Sequence, residues 1–239
     1  MQSSLQLIKV NLVSIISCCE VHMANRIELI INYLSKMFVV RSHHGWLFVF
    51  LLIPPLKLQA QRSLQYYDDQ VLLNLAKNRT PQQTGVYMFL SKNYKIINAA
   101  IPAGLLAGGI VTDNKEMRQN SVYVLSSTLI TYGLNAIVKG LVKRQRPFIR
   151  NINIVPVYEA NRYSFPSGHT SSTMATATAL SIAYPKWYVI APSFIWAGAT
   201  SYSRMYLGVH YPTDVAAGLV LGPATAVSLQ FLKAKNHQQ

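Results

Sequence analysis

The sequence has few acidic residues and almost no cysteine. Its 239 residues include 8 Asp and Glu against 22 Lys and Arg, which gives a formal net charge of +14. The two cysteines, Cys18 and Cys19, are adjacent and lie near the N-terminus. A disulfide framework and a cysteine-based metal site are therefore excluded. The excess of positive charge indicates an anionic partner, which is a nucleic acid, an acidic membrane or a phosphorylated molecule.

Charged residues of both signs are scarce. They make up 13% of the chain, against roughly 25% in a typical soluble domain. Hydrophobic residues make up 51%. This composition argues against a disordered or coiled-coil protein, and the length allows one domain of ordinary size.

The first 60 residues contain a segment with the layout of a secretory signal peptide. Arg41 precedes an apolar run at residues 46–56, and the small residue Ala60 follows it, so cleavage is expected near residue 60. An uncleaved anchor helix is the alternative, although the run is shorter than a ~20-residue span and ends in two prolines. Translation from Met37 and a loose lipoprotein signal ending at Cys18 also stay open. We therefore predict an N-terminal extension with a leader at 1–60 and a helical domain at 61–239.

The rest of the chain is predicted to be all-α. A short amphipathic helix around Leu72 is followed by Thr80, which is expected to cap another helix. Beyond these lie five apolar stretches rich in small residues, which let helices approach closely, at residues 97–111, 121–138, 170–184, 187–200 and 215–232. We expect a polytopic membrane bundle with about five spans. Several stretches are shorter than the ~17–25 residues of a comfortable span, so a soluble helical bundle is the alternative.

Two polar segments beside these stretches contain residues suited to phosphate binding. Lys139 and Arg146 are seven residues apart, about two helical turns, so they are predicted to share one face of a helix that Pro147 ends. On this segment alone, a membrane-flanking or nucleic-acid-binding role is favoured over phosphate binding. Ser167 and Gly168 precede the third stretch, where backbone N–H groups at a helix N-terminus bind phosphate. His169 follows on the first turn, although a plain N-cap serine with an incidental histidine fits as well.

A third polar segment contains Arg204, His210 and Asp214. His210 and Asp214 are four residues apart. If Pro212 begins a helix, the carboxylate reaches one imidazole nitrogen, fixes the tautomer and frees the other nitrogen for attack. Alternatively, Asp214 is a helix-start residue and His210 an interface histidine. The three segments together favour phosphoryl transfer, in which cations neutralise phosphate oxygens, one histidine attacks and another protonates the leaving oxygen.

The full pattern, K-x6-RP, PSGH and SR-x5-H-x3-D, resembles that of the type 2 phosphatidic acid phosphatase superfamily, which includes bacterial class A acid phosphatases and vanadium haloperoxidases. The resemblance covers roughly residues 61–232. It implies an all-helical bundle with the site at one end, a phosphohistidine on His210, His169 as general acid and Asp214 as the residue that orients His210. It implies no metal and no other cofactor. It also implies a set of phosphate-binding residues: Lys139, Arg146, Ser167, Gly168 and Arg204.

The distribution of charge predicts an orientation in the membrane. If residue 61 lies outside the inner membrane, five spans place all three motifs on the periplasmic face. The basic residues near the other ends of the spans then lie in the cytoplasm, as the positive-inside rule prefers. They are Lys115, Arg118, Lys186, Lys233 and Lys235.

The leading hypothesis is a bacterial inner-membrane phosphatase that acts on a phosphorylated lipid at the periplasmic face. Undecaprenyl pyrophosphate, phosphatidylglycerophosphate, phosphatidate and a lipid A phosphate are all compatible substrates, and the oligomeric state is left open. The alternatives are a soluble periplasmic non-specific acid phosphatase and a membrane structural or transport protein with a degenerate site. A nucleic-acid partner is not expected, because the basic residues lie in apolar-flanked loops without an aromatic stacking platform.

Overall fold

A computed structural model describes residues 58–161 and 163–234. In this part of the chain the regular structure is helical, apart from one β-bridge between Gln145 and Tyr163. The helices are α1 (Leu58–Lys77), α2 (Pro81–Val111), α3 (Lys115–Val142), α4 (Pro147–Arg150), α5 (Gly168–Ala183), α6 (Trp187–Tyr206) and α7 (Pro212–Ser228), followed by a 3-10 turn at Gln230–Leu232. The prediction of an all-α bundle is confirmed.

The predicted leader lies outside the described residues. This holds for its apolar run, for the possible start at Met37 and for Cys18. Helix α1 begins at Leu58, so the predicted boundary near residue 60 falls in its first turn. The division of the chain into 1–60 and 61–239 stays a prediction.

Helix α2 is longer than the apolar stretch that indicated it. The stretch begins at residue 97, but the helix begins at Pro81 and has 31 residues. Its start follows local capping chemistry, because the Thr80 hydroxyl accepts a hydrogen bond from the Gln83 N–H and proline suits the first helical position. The predicted cap at Thr80 is confirmed. The helix expected after Thr80 and the apolar stretch from residue 97 are therefore one continuous helix, which the sequence did not indicate because the polar residues 91–95 separate their apolar runs.

Helix α5 occupies the centre of the bundle and packs against α3, α6 and α7. It is rich in buried hydroxyl residues, which bond to carbonyl groups of their own preceding turn, as Thr173 does to His169 at 2.8 Å and Thr176 to Ser172 at 3.0 Å. These bonds satisfy polar groups in the interior within the helix itself, and Thr176 also pairs with Thr128 of α3 at 2.7 Å. Gly222 of α7 lies so close that a Cβ placed there would be 2.3 Å from the Ser171 carbonyl oxygen. Small residues therefore set the α5–α7 distance.

Two of the described helices, α2 and α3, are long and apolar enough to cross a membrane. Helices α5 and α7 have 16 and 17 residues, which correspond to about 24–26 Å. They fall short of the ~30 Å hydrocarbon core. The number of about five spans therefore stays a prediction.

The helix directions bring the three motif segments to one end of the bundle. Helices α3 and α6 end there, and α5 and α7 begin there. The Ser167 N–H before α5 donates to the Asp214 carbonyl oxygen in α7 at 3.0 Å. Arg146, which follows α3, approaches His210, which precedes α7. The connection between α3 and α5 also contributes here, since Asn161 contacts Arg146 and Tyr158 contacts Arg204.

Candidate active site

Lys139 and Arg146 reach the site from different backbone environments. Lys139 is in the last turn of α3, which ends at Val142 with Lys143 in the left-handed conformation (φ 51°). Arg146 comes after this turn as the N-cap of α4, and Pro147 is the first residue of that helix. The prediction that both cations share one helix face is therefore wrong. The proline begins a helix instead of ending one, because its fixed φ suits a first helical position.

Arg146 is 4% exposed and lies against the histidine of the third motif. Its Nη1 donates to the Val209 carbonyl oxygen at 2.6 Å and is 3.0 Å from His210 Nε2. Its Nε donates to the Asn161 carbonyl oxygen. Burial, followed by the positive charge of Arg204, lowers the pKa of Arg146 to about 10. The guanidinium is thus still charged at neutral pH and lies at the nitrogen expected to attack.

The contacts of His210 define its tautomer. A guanidinium only donates hydrogen bonds, so Nε2 beside Arg146 presents its lone pair. The proton of the neutral ring is then on Nδ1, which faces Asp214 Oδ2 at 3.5 Å. His210 is 1% exposed. Burial, followed by the positive charges of Arg146, Arg204 and Lys139, lowers the pKa of His210 well below its ordinary value. The ring is therefore neutral, and its Nε2 has the lone pair that an attacking histidine requires.

Asp214 stands at the start of α7 and also lies beside His210, so the structure shows both positions that the sequence left open. Its Oδ2 accepts the Tyr211 N–H at 3.0 Å and so caps the start of α7. The same oxygen faces His210 at a distance somewhat longer than a normal hydrogen bond. Its Oδ1 accepts from Arg144 Nη1 at 2.7 Å. Arg144 does not stand out in the sequence, because the run of basic residues around it gives no sign which of them meets a carboxylate.

His169 has partners on α2 that its motif does not contain. Its Nε2 is 3.2 Å from the Ser91 carbonyl oxygen, and its ring stacks on Tyr94 with centroids 3.7 Å apart. Because a carbonyl only accepts, Nε2 holds a proton. Neither Ser91 nor Tyr94 stood out in the sequence, since both lie in the polar segment at residues 91–95 of α2, outside the three motifs.

The loop at Ser167 and Gly168 is held in place from two sides. Asn135 of α3 donates to the Pro166 carbonyl oxygen at 3.3 Å and to Ser171 Oγ at 3.1 Å. The Ser167 N–H is already bonded to the Asp214 carbonyl oxygen, so it does not serve as a phosphate donor as predicted. The first-turn N–H of Gly168 is better suited, because amides at a helix N-terminus have no acceptor within their own helix.

Arg204 is 1% exposed and faces the His169 side of the site. Its Nη1 donates to Ser91 Oγ, and its Nη2 donates to the Tyr158 hydroxyl at 2.6 Å. Ser91 therefore contacts Arg204 with its side chain and His169 with its carbonyl. Tyr158 comes from the connection between α3 and α5. It was not predicted, because a single tyrosine in a loop gives no recognisable pattern.

The geometry thus gives two adjoining groups. Arg146, His210 and Asp214 form one, and Arg204 and His169 form the other through Ser91. Lys139 belongs with the first electrostatically, as one of the cations that lower the pKa of His210. Within residues 58–161 and 163–234, no cluster of three or more His, Cys, Asp or Glu side chains is placed to hold a metal ion. A cluster dominated by cations is suited to an oxyanion.

A helical bundle with this cluster at one end is the arrangement of a phosphatase. Residues 120–236, which contain all three motifs, match the PAP2 superfamily. The chain is 35% identical over 150 residues to an undecaprenyl-diphosphatase of Sulfolobus acidocaldarius, an alignment that covers 61% of this chain and 68% of the relative. It is 31% identical over 123 residues to a lipid A 4'-phosphatase of Bacteroides thetaiotaomicron, covering 47% of this chain and 55% of that one.

The crystal structure of a transmembrane PAP2-type phosphatidylglycerolphosphate phosphatase from Bacillus subtilis has the same fold. The TM-score is 0.61 with 21% sequence identity, over 74% of this chain and 90% of that one. The protein belongs to the PAP2 superfamily and is a hydrolase of phosphoric esters. The resemblance noted in the sequence is confirmed.

Proposed function

We propose that the protein removes a phosphate group from a membrane lipid phosphate or diphosphate through a phosphohistidine intermediate on His210. The observation that carries the proposal is the environment of that ring. Its Nε2 lone pair lies beside Arg146, and its Nδ1 faces Asp214. A buried neutral imidazole between a cation and a carboxylate is arranged to attack an anionic phosphorus centre and to stabilise the imidazolium that forms.

The reaction has two steps. In the first, His210 Nε2 forms a bond to phosphorus, the bond to the leaving oxygen breaks, and His169, which enters the step as the imidazolium, gives that oxygen the proton on Nδ1 while its Nε2–H stays bonded to the Ser91 carbonyl oxygen. In the second, water attacks the phosphohistidine while His169 takes up its proton. Inorganic phosphate leaves and His210 regains its lone pair. Microscopic reversibility requires the same residue to act as acid and then as base.

Cations supply the electrostatic stabilisation. Lys139, Arg146 and Arg204 hold the three outer oxygens of the phosphoryl group, with the backbone at Gly168. Their burial increases the effect, because charges interact more strongly away from water. With this stabilisation, the reaction does not require a divalent metal.

The lipid nature of the substrate is supported by two features. The relatives named above include phosphatases of an isoprenoid diphosphate and of lipid A. Helices α2 and α3 also leave large apolar side chains exposed along their length, among them Ile96, Ile110, Leu129 and Ile137. Such surfaces suit contact with lipid chains, and they extend towards the end of the bundle that contains the site.

The orientation is proposed from charge. Four basic residues lie at the end of the bundle opposite the site: Lys115 and Arg118 in the first turn of α3, Lys186 before α6, and Lys233 after α7. The positive-inside rule assigns that end to the cytoplasm. The catalytic end then faces the periplasm, with five helices crossing the bacterial inner membrane.

The test is phosphate release from membranes that contain the protein. The panel comprises undecaprenyl diphosphate, phosphatidylglycerophosphate, phosphatidate, a lipid A phosphate and a soluble aryl phosphate. We expect lipid cleavage that persists in EDTA and is inhibited by vanadate, which mimics the transferring phosphoryl group. Loss of activity in EDTA that Mg²⁺ restores would contradict the mechanism. Recovery of the enzyme in the soluble periplasmic fraction without detergent would favour the soluble acid phosphatase.

The histidine roles are tested by rapid-quench labelling with radioactive phosphate on the substrate. We expect acid-labile label on the wild type, none on His210→Ala, and retained label on His169→Ala. The His169→Ala variant should lose about 10²–10⁴-fold in rate on an alkyl ester. It should lose much less on an activated aryl phosphate, whose leaving group needs no proton. Label on His210→Ala but not on His169→Ala would reverse the assignment.

A further inference from the structure

The side chain of Arg144 joins helix α1 to the catalytic carboxylate. Its Nη1 donates to Asp214 Oδ1 at 2.7 Å and to Thr213 Oγ1 at 2.6 Å. Its Nη2 donates to Asp68 Oδ2 at 2.8 Å and to Gln65 Oε1 at 2.9 Å. The guanidinium also lies over the Tyr211 ring, 4.0 Å from the centroid. Four acceptors and an aromatic face together fix the position of this planar group.

Asp68 is the second component of this connection. It is 2% exposed although it belongs to the first described helix, far from the motifs in sequence. Its Oδ1 accepts the Thr213 N–H at 3.0 Å, and its Oδ2 accepts from the Thr213 hydroxyl as well as from Arg144. A buried carboxylate requires such a set of donors. Here the donors are Arg144 and Thr213. Thr213 lies in the first turn of α7, which also contains Asp214.

Asp214 depends on this arrangement for its orientation. It is fully buried, and its Oδ2 lies between the Tyr211 N–H and His210 Nδ1. Within the described residues, Arg144 is the cation that pairs with its Oδ1. Removing that cation leaves a buried carboxylate without its counter-charge. The Asp214 carboxylate is then free to turn away from His210 or to take up a proton.

We infer that Asp68 and Arg144 are positioning residues of the hydrolytic reaction. Asp68 holds Arg144, Arg144 holds the Asp214 carboxylate, and the carboxylate sets the tautomer of His210. Neither residue is assigned to phosphate binding. Helix α1 is therefore part of the catalytic unit, although its sequence contains none of the three motifs. The inference rests on the proposed function, since it concerns the nucleophile named there.

The experiment compares kcat and KM for an aryl phosphate in Asp68→Asn, Arg144→Gln and Arg144→Lys. We expect kcat to fall about 10–100-fold, by analogy with the residues that orient metal ligands. KM and inhibition by vanadate should stay close to wild type, because Lys139, Arg146 and Arg204 are untouched. Lysine should not restore kcat, because it cannot meet four acceptors in one plane.

The controls are Lys143→Gln, which removes the neighbouring exposed cation, and Asp113→Asn, which removes a carboxylate whose side chain is 97% exposed. Both should keep the wild-type kcat. Rates are normalised to folded protein, measured by thermal unfolding, so that simple loss of α1 packing is separated from loss of catalysis. Gln65→Ala provides a milder variant that removes one acceptor and should lower kcat by less.

A double variant gives the sharpest result. If Asp68 acts through Asp214, then Asp68→Asn should have no further effect on kcat when Asp214 is already Asn. Independent, multiplicative losses would overturn the inference, as would an unchanged kcat in folded Arg144→Gln and Gln65→Ala. A wild-type enzyme that releases no phosphate from any substrate would instead mean failure of the proposed function.

Discussion

His210 is a residue at which burial and neighbouring charge act in the same direction. Both disfavour the imidazolium and lower the pKa of His210 below its ordinary value. The neutral, nucleophilic ring therefore persists at a pH where an exposed histidine is protonated. An unfolded chain binds that proton near pH 6.5, so the contribution of this residue to stability is present above that pH and is lost as the pH falls below it.

The pH profile of kcat/KM should show this shift. We expect its acidic limb to lie below pH ~6.5, the ordinary value for histidine, because kcat/KM reports the free enzyme. Arg146→Gln removes a cation 3.0 Å from Nε2, so it should raise the pKa of His210 and move the limb to higher pH, in addition to lowering the rate. Arg150→Gln, an exposed change in the same short helix, should leave the limb in place. Movement to lower pH in Arg146→Gln would contradict the assigned contact.

The residues that sequence reasoning missed share one physical property. Arg204 and Ser91 are 113 residues apart, and Arg144 and Asp68 are 76 apart. Such pairs arise only when helices pack, and no local spacing indicates them. His210 and Asp214 were predictable because they are only four residues apart, on either side of the residue that begins α7. The same limit explains why the Ser167 N–H was wrongly predicted to bind phosphate. Its bond to the Asp214 carbonyl oxygen depends on the packing of α5 against α7.

At the scale of helices, the contact between α5 and α7 depends on the absence of side chains. A Cβ at Gly222 would lie 2.3 Å from the Ser171 carbonyl oxygen and 2.8 Å from the Ala175 nitrogen. Both are backbone atoms of a central helix, so neither moves without shifting α5. Because the His169 and Asp214 segments begin these two helices, their separation also sets the geometry of the site. The sequence indicated small residues in this region but not which of them forms the contact.

Gly222→Ala should therefore destabilise the protein and lower its activity. We expect a loss of about 1–3 kcal/mol, the usual cost of overpacking, seen as a lower midpoint of thermal unfolding in detergent. Gly198→Ala in α6 is the matched control, since nothing lies within 4 Å of a Cβ there. Alanine in place of that helical glycine should be neutral or should stabilise by about 0.5–1 kcal/mol. Equal melting temperatures for both variants would show that this contact does not limit the distance between α5 and α7.

At the scale of the whole molecule, the arrangement of charge distinguishes the two ends of the bundle. The catalytic end contains cations that are buried and bonded to other groups, as Arg146 and Arg204 are. At the other end, Arg118 is a partly exposed cation that bonds to Gly109 and Asp113 in the turn between α2 and α3. The catalytic end also has exposed cations, Lys143 and Arg150, so burial is what separates the cations proposed to hold the substrate from the others, a distinction that the sequence alone does not supply.

This difference leads to a labelling experiment on topology in whole cells. Ile152 lies in the connection between α3 and α5, at the catalytic end of the bundle, and is 91% exposed. Val111 is the last residue of α2, at the opposite end of the bundle, and is 85% exposed. Each is changed to cysteine in a background where Cys18 and Cys19 are serine. If the basic turns are cytoplasmic, an impermeant thiol reagent should label position 152 and miss position 111. A permeant reagent, or lysis of the cells, should allow both to react, which controls for local accessibility. Label at 111 with protection at 152 would place the catalytic end in the cytoplasm. Label at both positions in intact cells would show that α2 does not cross the membrane.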